Sequence, residues 1–264
     1  MRSSRSWLAF VGGAAVGVLG GLIGLGGAEF RLPLLIGMFG FAALPAVIVN
    51  KATSLVVVAV ALPVRAIAVP YSELLANWGA GVNLLAGSLV GAWAGASLAT
   101  RLQTATLHRV LAGLLVAMGV VLFLSHRGEL TGLTIDGLPQ IALGVAAGFG
   151  IGIVASVMGV AGGELLIPTL ILLYGLDIKV AGSMSLAVSM PTMLVGFTRY
   201  RRDQSFVVLS EHRRFVIVLA VGSAVGAITG GLLVGVVPEG VLVPTLSAIL
   251  LLSSVKVWRH GSHR

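Results

Sequence analysis

Two stretches of this sequence carry the residue types that could do chemistry. The first reads Gly24-Leu25-Gly26-Gly27-Ala28-Glu29-Phe30-Arg31-Leu32-Pro33, and the second Gly159-Val160-Ala161-Gly162-Gly163-Glu164-Leu165-Leu166-Ile167-Pro168. Each places glycines before an acid and a proline, and each opens onto an apolar run. Paired glycines relax the limits on φ and ψ and leave backbone N–H groups open. A helix that starts there adds unpaired N–H donors and a partial positive charge. Such a helix start is suited to an oxyanion. Glu29 and Glu164 admit two readings. An acid in the first helical turn can simply cap the helix. A carboxyl beside a low-dielectric cavity can instead take up and release a proton during transport.

Arg31, Lys51 and Arg65 are the basic residues inside the apolar spans. Lys51 sits in the polar cluster Asn50-Lys51-Ala52-Thr53-Ser54. A cation with amide and hydroxyl neighbours at membrane depth is a candidate anion site; the competing reading is snorkelling to the interface. Arg31 faces Leu166 in the motif alignment, so it has no counterpart, and it is expected to pair with Glu29 or its neighbourhood. Arg65, near the far end of its span, is expected to snorkel. Ser183, Ser185, Ser189 and Thr192 form a polar stripe in the second half, where serines commonly join helices.

The elements that must position these residues are read from hydropathy. Of 264 residues, 57% are hydrophobic and 10% charged, and mean hydropathy is +1.06. Soluble domains carry roughly 25% charged residues, so an ordinary soluble enzyme, a disordered chain and, with no cysteine, a disulfide-stapled domain are excluded. Ten apolar segments are expected, at 7–25, 29–39, 47–69, 78–100 and 110–125, then 139–158, 164–174, 180–198, 215–237 and 241–258. Spanning a bilayer takes about 20 residues. Eight segments are long enough, and the second of each half is too short to span alone. The segment after Arg2 and Arg5 is read as a retained helix rather than a signal peptide, because its pattern recurs deep in the chain.

The halves match at an offset of 135 residues. Gly13, Gly17 and Gly21 correspond to Gly148, Gly152 and Ser156, and Gly87, Gly91 and Gly95 to Gly222, Gly226 and Gly230. Thr53-Ser54-Leu55 pairs with Met184-Ser185-Leu186 across a compensated gap. The i, i+4, i+8 glycines lie on one helix face and let backbones approach. They place the first and fourth segments of each half at the centre of the bundle. The expected organisation is one transport domain of two repeats, 1–130 and 136–264.

Twelve basic residues fall on one side if every segment crosses: Arg2, Arg5, Arg101, Arg109, Arg199, Arg201, Arg202, Arg213, Arg214, Lys256, Arg259 and Arg264. By the positive-inside rule both termini are cytoplasmic. Each half then has odd parity, which makes the repeats inverted, an arrangement common in secondary transporters. The fold class is therefore an all-α polytopic membrane protein of two inverted repeats, with 8–10 membrane segments, two of them short half-helices after glycine-rich breaks. The net charge of +8, which in a soluble protein would point to nucleic acid, becomes a topological signal.

The glycine loop, Glu and Pro before an apolar run, doubled and followed by a Thr/Ser-Ser-Leu element, resembles the TauE/SafE sulfite exporter family, also called TSUP. The resemblance spans essentially the whole chain. It implies a bacterial inner-membrane secondary carrier of sulfite, sulfonates and related organosulfur anions, moving with the proton gradient. Carried onto this chain, the family motif falls on Gly24, Gly26, Gly27, Glu29, Pro33, Thr53 and Ser54, and on Gly159, Gly162, Gly163, Glu164, Pro168 and Ser185. Ala28, Ala161, Met184 and Arg31 depart from the family pattern.

The expected anion-binding set is Gly26, Gly27, Arg31, Asn50, Lys51, Thr53, Ser54, Gly162, Gly163, Ser183 and Ser185. Glu29 and Glu164 are the expected proton carriers, and Gly24, Pro33, Gly159 and Pro168 the expected helix breaks. The partners are a small anionic substrate and the lipid bilayer, not nucleic acid; a homo-oligomer is compatible with this reading. There is no Cys and no His-Glu-x-x-His, and His108, His126, His212, His260 and His263 fall in loops or near ends. Neither catalytic residues, a metal nor a cofactor is expected, and no Gly-x-x-x-x-Gly-Lys-Ser/Thr loop is present for ATP. An anion channel using the same helix ends without ion coupling is the alternative.

Overall fold

The structure, a computed structural model, describes residues 2–23, 27–67, 69–126 and 136–233. Gly24, Gly26 and the expected tenth segment lie outside the described residues. The described chain forms helices and turns, with no strand. In order these are α1 (Arg2–Ile23), α2 (Ala28–Gly37), α3 (Ala43–Arg65), α4 (Tyr71–Ala76), α5 (Trp78–Arg101) and α6 (Thr104–His126). They continue as α7 (Leu138–Met158), α8 (Gly163–Tyr174), α9 (Ile178–Tyr200), a 3₁₀ turn (Gln204–Val207), α10 (Val208–Glu211) and α11 (Arg213–Leu232).

Among the described residues, five helices, α3, α5, α7, α9 and α11, are long and apolar enough to cross a membrane. α1 and α6 are of similar length, at 22 and 23 residues. The chain is a multi-pass, all-α membrane protein. α2 and α8 have 10 and 12 residues, which at 1.5 Å per residue reach only about half of a roughly 30 Å hydrocarbon core.

The glycine stripes make two tight helix pairs. Gly13, Gly17 and Gly21 of α1 lie on the carbonyls of Leu219, Ser223 and Ala227 of α11, and Gly222 and Gly226 return the contact onto Phe10 and Ala14. Likewise Gly87, Gly91 and Gly95 of α5 meet Val145, Phe149 and Ile153 of α7, and Gly148 and Gly152 meet Leu84 and Ser88. Residue numbers rise together in both pairs, so each is parallel. Each joins the first helix of one half to the fourth helix of the other. Between the pairs, α3 and α9 cross antiparallel: the start of α3 lies by the end of α9, and Arg65 by Lys179 and Ser183. Equivalent helices that meet antiparallel are related by an axis perpendicular to their length.

The centre of the bundle differs from the glycine-based expectation. The third segments occupy it, with 56% of the apolar window of α3 and 67% of that of α9 buried, against 44% for α5, α7 and α11. A glycine stripe needs only one close neighbour and leaves the opposite face to lipid. α3 and α9 carry polar side chains that must be shielded from lipid.

α4 and α10 were not expected as separate elements. They sit at the same 135-residue offset, and the residues that end them have nearly the same backbone: Asn77 at φ −108, ψ 15 and His212 at φ −110, ψ 25. Four to six residues are too few to produce a hydropathic period.

Candidate transport site

Both short helices start from a left-handed glycine, Gly27 at φ 66 and Gly162 at φ 84. Any side chain would be strained in that conformation, so glycine is what lets the chain turn sharply into α2 and α8. Gly159 (φ 69) ends α7 in the same conformation. Glu29 and Glu164 are the second residues of their helices and are 0% and 1% exposed. Their carboxyls lie against each other across the pseudo-axis and interact electrostatically. None of the four oxygens has a well-formed hydrogen-bond partner, and each carboxyl lies by the other and by its own backbone N–H.

Pro33 and Pro168 sit inside α2 and α8 rather than at the breaks. Each is the sixth residue of its helix, four after the glutamate. Proline has no N–H, so the α-helical donor that would bond the Glu29 and Glu164 carbonyls is missing.

Arg31 is fully buried. Its Nη1 donates to Ser54 Oγ at 2.9 Å and to Asn50 Oδ1 at 3.3 Å. The expected pairing with Glu29 is a through-space attraction, and two hydrogen bonds of Arg31 go to α3. Asn50 Nδ2 donates to the Ala28 carbonyl at 2.9 Å and the Met158 carbonyl at 3.3 Å. Ser54 Oγ donates to the Asn50 carbonyl at 2.7 Å. Asn50 thus ties the middle of α3 to the start of α2 and the end of α7. Thr53 is buried, and its hydroxyl has no protein partner.

Lys51 is also fully buried, so the snorkelling geometry is not adopted. Its Nζ donates to Ser156 Oγ at 3.2 Å and lies 5.9 Å from the centre of the Tyr200 ring. The Tyr200 hydroxyl in turn donates to the Ser156 carbonyl at 2.7 Å. Gly196 makes room for this cluster: a Cβ there would stand 2.8 Å from Lys51 Nζ and 2.6 Å from Ser156 Oγ. No carboxylate among the described residues pairs with Lys51.

The sequence match with known families is decisive once this geometry is in view. The family model of the sulfite exporter TauE/SafE matches residues 8–257. The chain belongs to the TauE/SafE family. Members of that family are membrane transporters, not enzymes. No curated protein and no solved structure matches it.

In this TauE/SafE protein the second-half hydroxyls are dispersed rather than gathered. Ser183 accepts from Arg65 Nε at 3.2 Å, at the far end of α3. Ser185 donates to the Gly182 carbonyl of its own helix at 2.9 Å, and Ser189 to the Ala161 carbonyl at 2.6 Å. Thr192 shares a 2.7 Å hydrogen bond with Ser88 of α5. Gly163 is the buried first residue of α8. Of the expected residues, Glu29, Arg31, Asn50, Ser54 and Glu164 come together around the two breaks. Lys51 faces α7 and α9 beside them, and Ser183 is remote. Ser156, Gly196 and Tyr200 belong to the Lys51 cluster and were not among the expected residues. One signal for Ser156 was available: it stands where Gly21 stands in the repeat and interrupts the glycine stripe.

Proposed function

We propose that this chain is a secondary carrier of small sulfur oxyanions, sulfite or organosulfonates, that works by alternating access with proton coupling through Glu29 and Glu164. The observation that supports it best is Lys51. An unpaired charge buried in a low-dielectric interior costs several kcal/mol, and an anion is the partner that would compensate it. Arg31, held by Asn50 and Ser54 beside the start of α2, supplies a second positive charge. Its planar guanidinium matches an oxyanion. The backbone N–H groups at Gly27–Ala28 and Gly162–Gly163 add donors from the two helix starts.

Two adjacent carboxylates at this depth would repel each other without solvent. One proton between them relieves the repulsion and supplies a donor to the facing oxygens. Binding or releasing that proton changes the charge beside the anion by one unit. That gives the two half-sites a reason to exchange access together. We further propose residence in the bacterial inner membrane with both termini cytoplasmic.

The test is sulfite flux in proteoliposomes, with internal pH recorded. The expected result is saturable, sulfite-dependent proton movement and counterflow, both lost in Lys51→Met. Non-saturating flux that ignores the pH gradient would mean a channel. Because the native chain lacks cysteine, single cysteines placed between residues 101 and 109 read the orientation directly; labelling from outside would overturn it.

A further inference from the structure

The third buried cation has no place in the site above. Arg65 is the last residue of α3, yet it is only 4% exposed. Rather than snorkelling, it turns inward onto α9. Its Nε donates to Ser183 Oγ at 3.2 Å, and its Nη2 reaches the Lys179 carbonyl at 3.3 Å. Lys179 and Ser183 are four residues apart and so lie on one face of α9. The remaining nitrogen, Nη1, is buried and has no hydrogen-bond partner. No carboxylate among the described residues pairs with Arg65. The nearby acid, Asp177, is turned to its own helix, where it accepts from the Lys179 backbone N–H at 2.8 Å.

A guanidinium needs no such arrangement merely to brace two helices. A brace would satisfy the fork or pair it with an acid, because a buried donor left unmade is destabilising. Here Ser183 fixes the plane through Nε, and the two terminal nitrogens present one free and one long-bonded donor edge. That edge suits an oxyanion bidentately. Lys51 and Arg65 are 14 residues apart on α3, so about 21 Å separates them along the helix. Lys51 lies at the level of Asn50 and Ser54, which hold Arg31, while Arg65 lies at the far end of α3 against Lys179 and Ser183.

We infer that Arg65 and Ser183 form a second anion subsite at the end of the α3–α9 interface opposite Lys51. There the transported oxyanion is held on entering or leaving the central site. This rests on the carrier reading above for its role, but its existence can be tested by binding alone.

The experiment is equilibrium dialysis of radiolabelled sulfite against the detergent-purified chain, comparing wild type with Arg65→Gln, Ser183→Ala and Lys51→Met. The expected result is two anions per wild-type chain, one in Arg65→Gln and one in Lys51→Met. Ser183→Ala should keep both sites, with the weaker one loosened several-fold. Arg65→Lys is the control should Arg65→Gln fail to fold; a compact cation there should retain a weakened second site. If wild type binds one anion that survives Arg65→Gln and disappears in Lys51→Met, the second subsite falls and the carrier reading stands. If wild type binds none, both fall. In oriented proteoliposomes, Arg65→Gln should raise the half-saturating sulfite concentration about tenfold from the Arg65 side and leave the other side unchanged. An equal change from both sides, tracking only a lowered Tm, would mark Arg65 as a brace.

Discussion

The two halves of this molecule share a backbone and differ in charge. In both, a left-handed glycine starts a short helix, a glutamate follows at its second position and a proline at its sixth. In both, a glycine-striped helix pairs with the opposite half. The side chains then diverge. The α2–α3 half carries Arg31, Lys51 and Arg65, all buried, while α9 supplies Ser183, Ser185, Ser189 and Thr192. Where the first half keeps Gly21, the second has Ser156, and that serine receives Lys51. The lesson is that the frame is duplicated and the charge is not: the buried cations lie on one half, and two of them, Lys51 and Arg65, reach hydroxyls and a carbonyl on the other. Of the charged residues in the two motifs, the acids are kept on both sides, and they meet.

The largest effect should come from removing a cation. Lys51→Met is expected to lower sulfite transport about 100-fold, since an interaction with a charged group is worth up to about 3 kcal/mol. Lys179→Met in the opposite half, where the side chain is exposed, should change it less than about twofold, as surface substitutions usually do. Equal losses would erase the asymmetry.

Next comes the frame. Gly17→Ala and Gly152→Ala occupy matching places, and in each a Cβ would collide with a carbonyl, of Ser223 and Ser88 respectively. Each should destabilise by about 2 kcal/mol, seen as Tm losses of several degrees that are alike in the two variants. A large loss in one and none in the other would break the symmetry of the helix pairs.

The acids test the meeting point. Glu29→Gln and Glu164→Gln should each slow proton-coupled transport about tenfold, within the range of a lost proton-transfer group or less. The wild-type rate should fall as pH rises and the pair loses its proton, whereas both variants should be flat with pH. The double variant should be no worse than either single one, because coupled residues are not additive. Transport that keeps its full pH dependence in both variants would remove the proton role.

The smallest effect is the sharpest. Ser156→Gly restores the stripe and removes one hydrogen bond from Lys51, which costs about 1 kcal/mol. Sulfite affinity should weaken roughly fivefold with Tm unchanged. A fall in Tm without a change in affinity would make Ser156 a packing residue.

By itself the sequence determined the membrane class, the boundaries of most long helices, the two shortened segments and the small-residue stripes. These follow from local quantities: apolar length against bilayer thickness, and glycine spacing against the helical turn. The doubled motif also marked Glu29 and Glu164. Only the tertiary structure decided which way the cations turn. A lysine two turns into a helix and an arginine at its end can equally well reach for the interface or face a neighbour. The choice depends on what α7 and α9 present to them: Ser156, Tyr200 and the gap at Gly196 for Lys51, Ser183 and the Lys179 carbonyl for Arg65. Those partners lie 105 to 118 residues away in the hydrogen bonds they make, so no local pattern could name them. The same holds for the two glutamates, 135 residues apart in sequence. The sequence shows two acids in equivalent places, and only the antiparallel crossing of α3 and α9 brings them face to face.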